Sequence, residues 1–463
     1  MFAVLVVIGA LALLMAAAYR GHSVILLAPV AALLAVLVTD PSAVPVLFTG
    51  VYQERLAVFV RSYFPVFLLG AVFGKLIEAS GAARALVVAT AAVVGPQRAM
   101  LAIVVVCALL TYGGVSLFVV VFAVHPFAVE LFQRSGIPRR LIPGTIVLGA
   151  FSFTMDALPG TPQIQNIIPS TFFATDTWAA PWLGCSGALF IAVSGLAYLD
   201  WRRRQAQRTG EGFGPVPVGG PPAPVATAMS PLIAVLPLLT VGAANAALTG
   251  AIPRWYGQLS SVRLDGMAHA VEIPVQQVVA LWAVEGALAL GILVLIVLAF
   301  RTLTAGFADA LKPAVAGALL ATMNTASEYG FGAVIAALPG FVAVRDALQA
   351  VPYPLANVAV SVTTLSGITG SASGGLSIAL AALAERFLAS AHAAGIPPEV
   401  LHRIAAMASG GMDTLPHNGA VITLLMVCGL SHREAYPDIF AITCLKTAAV
   451  AVAIAVYALT GLV

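Results

Sequence analysis

Apolar stretches near residues 2–18, 23–39, 64–77, 101–132, 181–199, 229–250, 277–300, 352–366 and 439–462 dominate this chain. Each is long enough, or nearly so, to cross hydrocarbon as a helix, which takes about 20 residues. No water-soluble fold hides so many. Of 463 residues, 60% are hydrophobic and 9% charged, against roughly half and a quarter in soluble proteins. Lipid offers backbone groups no partners, so spans of this kind pair their own N–H and C=O groups as helices. The expected class is an all-α polytopic membrane protein.

The 22 basic and 19 acidic residues leave a formal charge of +3, too even and too sparse for a nucleic-acid partner or a polybasic lipid-binding surface. Cys107, Cys185, Cys428 and Cys444 lie in apolar runs without the close pairing of a metal site, so they read as small buried hydrophobes and no metal is expected. No Gly-rich loop ending in Gly-Lys-Ser/Thr is present, which argues against ATP drive, and no cofactor is implied. The opening run FAVLVVIGALALLMAAA lacks a preceding basic segment, so it reads as an uncleaved first span rather than a signal peptide.

Residues 202–228 form a hydrophilic, Gly- and Pro-rich break that begins with Arg202, Arg203 and Arg204. It reads as a linker, and its basic cluster places it in the cytoplasm. The chain then divides into a membrane half at 1–201 and another at 229–463. Local words recur between them. MDALP from Met155 is answered by MDTLP from Met412, 257 positions on. GIP precedes each, at Gly136 and Gly395. LLTYGGVSLFVVV around Thr111 faces GITGSASGGLSIAL around Thr369, and PVFLLGAVFGKLIEASG from Pro65 faces PAVAGALLATMNTASEYG from Pro313, which sets Glu78 against Glu328. In membranes, paired repeats mark transporters whose site lies where the repeats meet. The parity of crossings decides between inverted and parallel repeats, and the inverted arrangement is the expectation.

Five polar, Gly- or Pro-rich words interrupt the apolar runs: Thr111–Ser116, Ser366–Gly375, Asp156–Asn166, Asp413–Gly419 and Met323–Gly330. Non-helical chain at membrane depth is tolerated only beside protein or a watered cavity, so each word is expected to break a helix at a site. A half-helix starting after a glycine turn offers free N–H groups and a positive dipole end to a carboxylate. Hydroxyl and amide oxygens with freed carbonyls can instead hold sodium, and the sequence leaves both modes open. Asp156, Asp413 and Glu328 are the candidate ion-coupling carboxylates. His417 is the one imidazole within the words, able to bind an anion or a proton. His125, His402 and His432 read as helix-end or span residues without a special role.

The words GKLIEASGAARALV from Gly74, the GIP-preceded broken helix and the paired LP breaks resemble the gluconate:proton symporter (GntP) family of the ion transporter superfamily, over nearly the whole chain except the linker and the 251–276 loop. That resemblance implies two inverted repeats with re-entrant hairpins, an elevator-type transport domain moving against a dimeric scaffold, and proton-coupled uptake of sugar acids or hydroxycarboxylates across a bacterial inner membrane. It also implies substrate contacts at Thr111, Gly113, Gly114, Ser116, Thr161, Gln163, Asn324, Thr325, Thr369, Ser371, Ser373, His417 and Asn418. Gluconate-type members carry a His- and Pro-rich word at the first LP break. Here it reads DALPGTPQ, which leaves room for smaller acids such as 3-hydroxybutyrate or lactate.

The leading expectation is therefore a secondary active transporter, a symporter of a small organic anion with proton or sodium, working in the lipid bilayer as a homodimer and not as an enzyme. The rival class is an intramembrane aspartyl protease with Asp156 and Asp413 sharing a proton. Neither Asp stands in a Gly-x-Gly-Asp context, and the hydroxyl-rich words exceed what a dyad needs.

Overall fold

The described residues are mostly α-helical, with one small hairpin of strands among them. The computed structural model describes residues 2–20, 22–95, 98–214, 229–267, 269–303, 307–343, 351–416 and 418–463. Among them, six helices are long and apolar enough to cross a membrane, the first being the joined run Pro41–Ala79, and a further set of apolar helices is too short to do so alone.

The first helices, α1 (Phe2–Tyr19) and α2 (Val24–Thr39), pack on each other, and a π-type turn at Phe48–Gln53 leads into α3 (Glu54–Ala79). Then follow α4 (Ala82–Val94), α5 (Ala99–Tyr112), α6 (Leu117–Arg134), α7 (Leu141–Ala150), the single turn α8 (Phe153–Asp156), α9 (Ile164–Phe173) and the long α10 (Pro181–Arg208). Next, α11 (Pro231–Tyr256) and α12 (Val275–Leu298) pair closely, joined through the antiparallel strands β1 (Leu259–Val262) and β2 (Val271–Pro274) with Leu259 opposite Pro274. The last elements are α13 (Phe307–Ala337), α14 (Pro354–Thr369), α15 (Ala372–Ala393), α16 (Pro398–Ser409), α17 (Gly419–Cys428) and α18 (His432–Thr460).

Several helices are apolar on every side. Leu34, Leu37, Leu189, Val193, Leu236, Leu239, Leu293 and Val297 point outward, as expected where the surrounding medium is hydrocarbon. Inside, α3 lies along α13, α10 along α18, and α5 along α7. Small residues permit the closest approaches: a Cβ at Gly149 would overlap Val104 and Cys107, and one at Gly195 would overlap Leu148.

Four of the five words are breaks. The chain leaves the helix at Gly113, at Gly370, after Asp156 and after Ser409. Gly370, with φ of 64°, ends α14 in the left-handed region, which a side chain would strain. With 14 residues, α5 rises only about 21 Å at 1.5 Å per residue, short of the roughly 30 Å hydrocarbon layer. The fifth word departs from expectation. Met323–Gly330 lies inside the unbroken α13, because it holds no proline, its one glycine stands at its far end, and Thr325 Oγ1 back-bonds to Ala321 O at 3.2 Å. A hydroxyl that satisfies its own helix does not break it.

The linker boundary also shifts. The basic cluster continues α10 to Arg208, with Asp200 paired to Arg203 and Arg204 one turn on, and residues 215–228 lie outside the described residues. Cys107 and Cys428 are buried as expected, but Cys185 and Cys444 are exposed on their helices.

Near the end of α10 the fully buried Asp438 of α18 receives Arg202 Nε at 2.6 Å, Arg140 Nη1 at 3.2 Å and Tyr198 OH at 2.8 Å. Arg140 also grips Glu211 through two bonds, which holds that carboxyl below the usual carboxylate range. The two arginines are about one-fifth exposed, so solvent screens part of the pairing. Asp438→Asn is expected to cost about 2 kcal/mol, seen as a lower unfolding midpoint of detergent-solubilised protein while Asp200→Asn, on the exposed pairs, moves it by less than about 0.5 kcal/mol.

Candidate functional site

The two repeated aspartates meet at one lysine. Asp156, 1% exposed, closes α8; Asp413, 3% exposed, stands in the turn after α16; Lys446, 1% exposed, comes from the middle of α18. Lys446 Nζ donates to Asp413 Oδ1 at 2.8 Å and to Phe151 O at 2.6 Å, and lies 3.9 Å from Asp156 Oδ2. Both oxygens of Asp156 are buried without a hydrogen-bond partner. Only a glycine fits beside them, since a Cβ at Gly410 would overlap Asp156 Oδ2. The Asp413 turn is held by Thr447 Oγ1 donating to Gly411 O at 2.9 Å and by the contact of the Thr414 and Thr443 hydroxyls.

The first and third words are stitched together. Gln163 Nε2 donates to Thr111 O at 2.7 Å, and Tyr112 OH to Pro159 O at 2.9 Å. Gly113 and Gly114 back onto Leu238 of α11 and Leu288 of α12, and Ser116 opens α6. Thr161 is fully buried. Around this turn the buried Thr111 Oγ1, Thr161 Oγ1, Gln165 Oε1, Trp178 Nε1 and Asn245 Oδ1 have no hydrogen-bond partner. Unpaired buried polar atoms are costly in a folded chain, and a convergent set of them is what a polar solute would satisfy.

Behind that turn stands a second polar centre. Arg403 of α16, fully buried, donates from Nε and Nη2 to Ala179 O at 3.0 and 2.7 Å, from Nη1 to Asn166 Oδ1 at 3.0 Å and from Nη2 to Thr177 O at 3.3 Å. All its bonded acceptors are neutral. Its neighbour His402 lies 2.7 Å from Thr175 Oγ1 through Nδ1 and 3.2 Å from Asn166 Oδ1 through Nε2. Asn166 in turn donates to Thr161 O and Thr177 O, and Asn245 to Gly160 O.

The second, fourth and fifth words form the third group. Asn418 Nδ2 donates to Gly370 O at 2.7 Å while its Oδ1 accepts from the N–H groups of Ala420 and Val421, which caps α17. Ser371 caps α15 by accepting from Gly374 N at 3.0 Å. Thr369 Oγ1 is spent on its own helix and on Ser371 O. Thr325 of α13 reaches Ser373 at 3.4 Å, and the Glu328 carboxylate, 5% exposed, lies against Gly374, where a Cβ would overlap it. Asn324 is partly buried one residue before Thr325 on the same unbroken helix. His417 lies outside the described residues.

The expected residues thus fall into two hydroxyl-rich groups and one ionic centre. Glu78, matched to Glu328 in sequence, differs in setting: it is half-exposed and paired with Lys75 at 2.8 Å. His402, read as having no special role, is buried with both ring nitrogens bonded. Lys446 and Arg403 were not anticipated. For Lys446 a signal exists, since it is the one charge in the run 439–462, and ionisable groups inside membrane helices are rare without a function. Arg403 sits in the amphipathic PEVLHRIAAMAS, where nothing distinguishes it from a solvated helix face.

No family model matches the chain. It is 53% identical over 469 residues, covering 99% of both chains, to YxjC of Bacillus subtilis (strain 168), described as an uncharacterized transporter. Among solved structures it resembles the YdaH transporter of Alcanivorax borkumensis, with 15% identity, a TM-score of 0.45 and 91% and 90% of the two chains covered. It also resembles MtrF of Neisseria gonorrhoeae, with 14% identity, a TM-score of 0.46 and 88% and 83% covered.

Proposed function

Since this chain belongs to the family of the Bacillus subtilis transporter YxjC, we propose that it is a secondary active transporter, a symporter that carries a small organic anion with a proton. The carrying observation is the convergence of Asp156 and Asp413, from the two halves of the chain, on the buried Lys446. A fixed cation between the two carboxylates is unsuited to a dyad that shares one proton for peptide hydrolysis, and it suits an ion-coupling centre. On this reading the unpartnered hydroxyls Thr111 and Thr161 with Gln163 contact the anion from one side. Thr325, Ser371 and Ser373, beside Asn324, Thr369 and Asn418, contact it from the other, next to the buried acid Glu328.

The two-repeat reading draws support from element order. Long helix, broken pair, GIP turn, short helix, MDxLP turn, ten-residue helix and long helix run through 54–208 with α4 added, and again through 307–460. We take the halves 1–201 and 229–463 as inverted repeats within the gluconate:proton symporter type. One broken-helix unit would move against a dimeric scaffold, in a bacterial inner membrane. The preferred substrates are sugar acids or smaller hydroxycarboxylates.

The test is uptake by the full chain in proteoliposomes, with labelled gluconate, lactate and 3-hydroxybutyrate offered under separately imposed pH and sodium gradients. One pH unit is worth about 1.4 kcal/mol, so coupling to one proton accumulates the anion about tenfold per unit. Sodium-driven uptake without a pH effect would replace the proton by sodium, and no gradient-driven uptake of any acid would overturn the reading.

A further inference from the structure

Resting on the transport reading above, we propose that Asp156, Asp413, Lys446 and Arg403 form a charge-balanced set that couples one proton to one monocarboxylate, with the proton taken at Asp156. The four side chains are almost completely enclosed. Two carry positive charge and two negative, so the empty set sums to zero.

The bonds within the set distinguish its members. Lys446 spends donors on Asp413 Oδ1 and Phe151 O and stands farther from Asp156, at 3.9 Å. Asp413 is therefore the carboxylate neutralised by contact. Arg403 bonds only carbonyl and amide oxygens, so its charge is not cancelled by any bonded carboxylate. Asp156 has two buried oxygens and no hydrogen bond to either. A proton added there breaks no hydrogen bond and gives up only the 3.9 Å ion pair, whereas a proton added at Asp413 discharges the carboxylate that the ammonium bonds at 2.8 Å.

The charged groups that face Asp156 are Lys446 from α18, Asp413 from its turn and Arg403 from α16. The uncharged Gly410 covers one side of its carboxyl, and α10 brings Gly184 against Ala157 O, next in the chain. Glu328, packed against Gly374, has no cation bonded to it among the described residues and enters the count as a neutral acid, because an unpaired buried charge is costly.

Carrying net charge through a low-dielectric layer is expensive. A monocarboxylate alone leaves the set at minus one, and a proton alone leaves it at plus one. Both together restore zero, as does neither. The moving unit is then free to cross only empty or doubly loaded, which is what symport requires. A dicarboxylate with one proton leaves a residual charge, so the substrate class is the monocarboxylate.

The experiment uses the full chain in proteoliposomes with radiolabelled lactate as probe and succinate as comparison. Lactate accumulation should follow the pH gradient at about tenfold per unit and stay within about twofold when a potassium diffusion potential is imposed. A flux carrying one net charge would change about fiftyfold over roughly 100 mV. Asp156→Asn should still exchange lactate for lactate but lose pH-driven accumulation and become voltage-dependent. Lys446→Met and Asp413→Asn should each abolish pH-driven uptake, while the two combined, which delete one charge of each sign, recover a measurable part of it that stays insensitive to voltage. Voltage-driven wild-type uptake, pH-driven accumulation in Asp156→Asn, or succinate carried as well as lactate would each overturn the proposal.

Proton binding is read separately on purified protein, as an infrared protonated-carboxyl band lost in Asp156→Asn and kept in the double variant. That band without any lactate transport would sink the transport reading alone. A spectrum unchanged by Asp156→Asn would sink the assignment of the proton.

Discussion

Arg403→Met is expected to destabilise the folded protein by about 3–5 kcal/mol. The side chain makes four hydrogen bonds inside the protein. Its loss orphans Ala179 O and deprives Asn166 Oδ1 of one of two partners. Leaving buried acceptors unpaired costs about 1–3 kcal/mol each, and the segment 175–180, which shapes one wall of the third word, loses its anchor to α16. The total of about 3–5 kcal/mol is a large part of a typical stability of roughly 5–15 kcal/mol. We expect the unfolding midpoint, followed by size-exclusion after heating, to fall by roughly 5–10 °C. Arg403→Lys should recover only part of this, because an ammonium lacks the planar fork that reaches Ala179 O and Asn166 Oδ1 together. A wild-type midpoint in Arg403→Met would show that the guanidinium holds nothing.

Gly410→Ala is expected to abolish uptake while leaving the protein folded. The added methyl would overlap Asp156 Oδ2 and sit 3.1 Å from Lys446 Cε, so the carboxyl, the ammonium or the turn must shift. Overpacking costs about 1–3 kcal/mol, which the fold survives. Displacing a charged group from its working geometry costs about a hundredfold in rate. Gly317→Ala on α13, where nothing lies within 4 Å, is the matched control and should transport within about twofold of wild type. Equal uptake by both variants would separate the Asp156 pocket from transport.

Hydropathy and turn chemistry made the membrane class and four of the five interruptions legible, for a physical reason. Glycine and proline act on the backbone locally, and clustered as in TYGG, DALPG and SGITG they mark where helices end here, although single ones such as Pro65 and Gly330 stay inside helices. Even the run 101–132, continuous by hydropathy, parts at Gly113 as its embedded word indicates. The word MNTASEYG deceived because polarity is not a helix breaker. Its one threonine bonds its own helix, and its glycine stands at the far end. Contacts between distant segments were the illegible part. Lys446 lies 33 residues from Asp413 and Arg403 lies 237 from Asn166, and no local pattern carries such a pairing. A lone lysine in an apolar helix could have been flagged on cost alone. Its meeting with two aspartates could not.

On the proposed transport reading, the hydrogen bonds that side-chain amides make across the breaks bear on how a solute gets in. Gln163 donates to the carbonyl of Thr111, which also accepts from Gly114 N, and Asn418 donates to that of Gly370, so each gap in the backbone is bridged by a side chain that can swing. A hydrogen bond of this sort is worth about 1 kcal/mol net, and turning an amide aside takes only rotamer changes. On that reading, lifting these two side-chain latches would bare one acceptor position on each carbonyl without unwinding any helix.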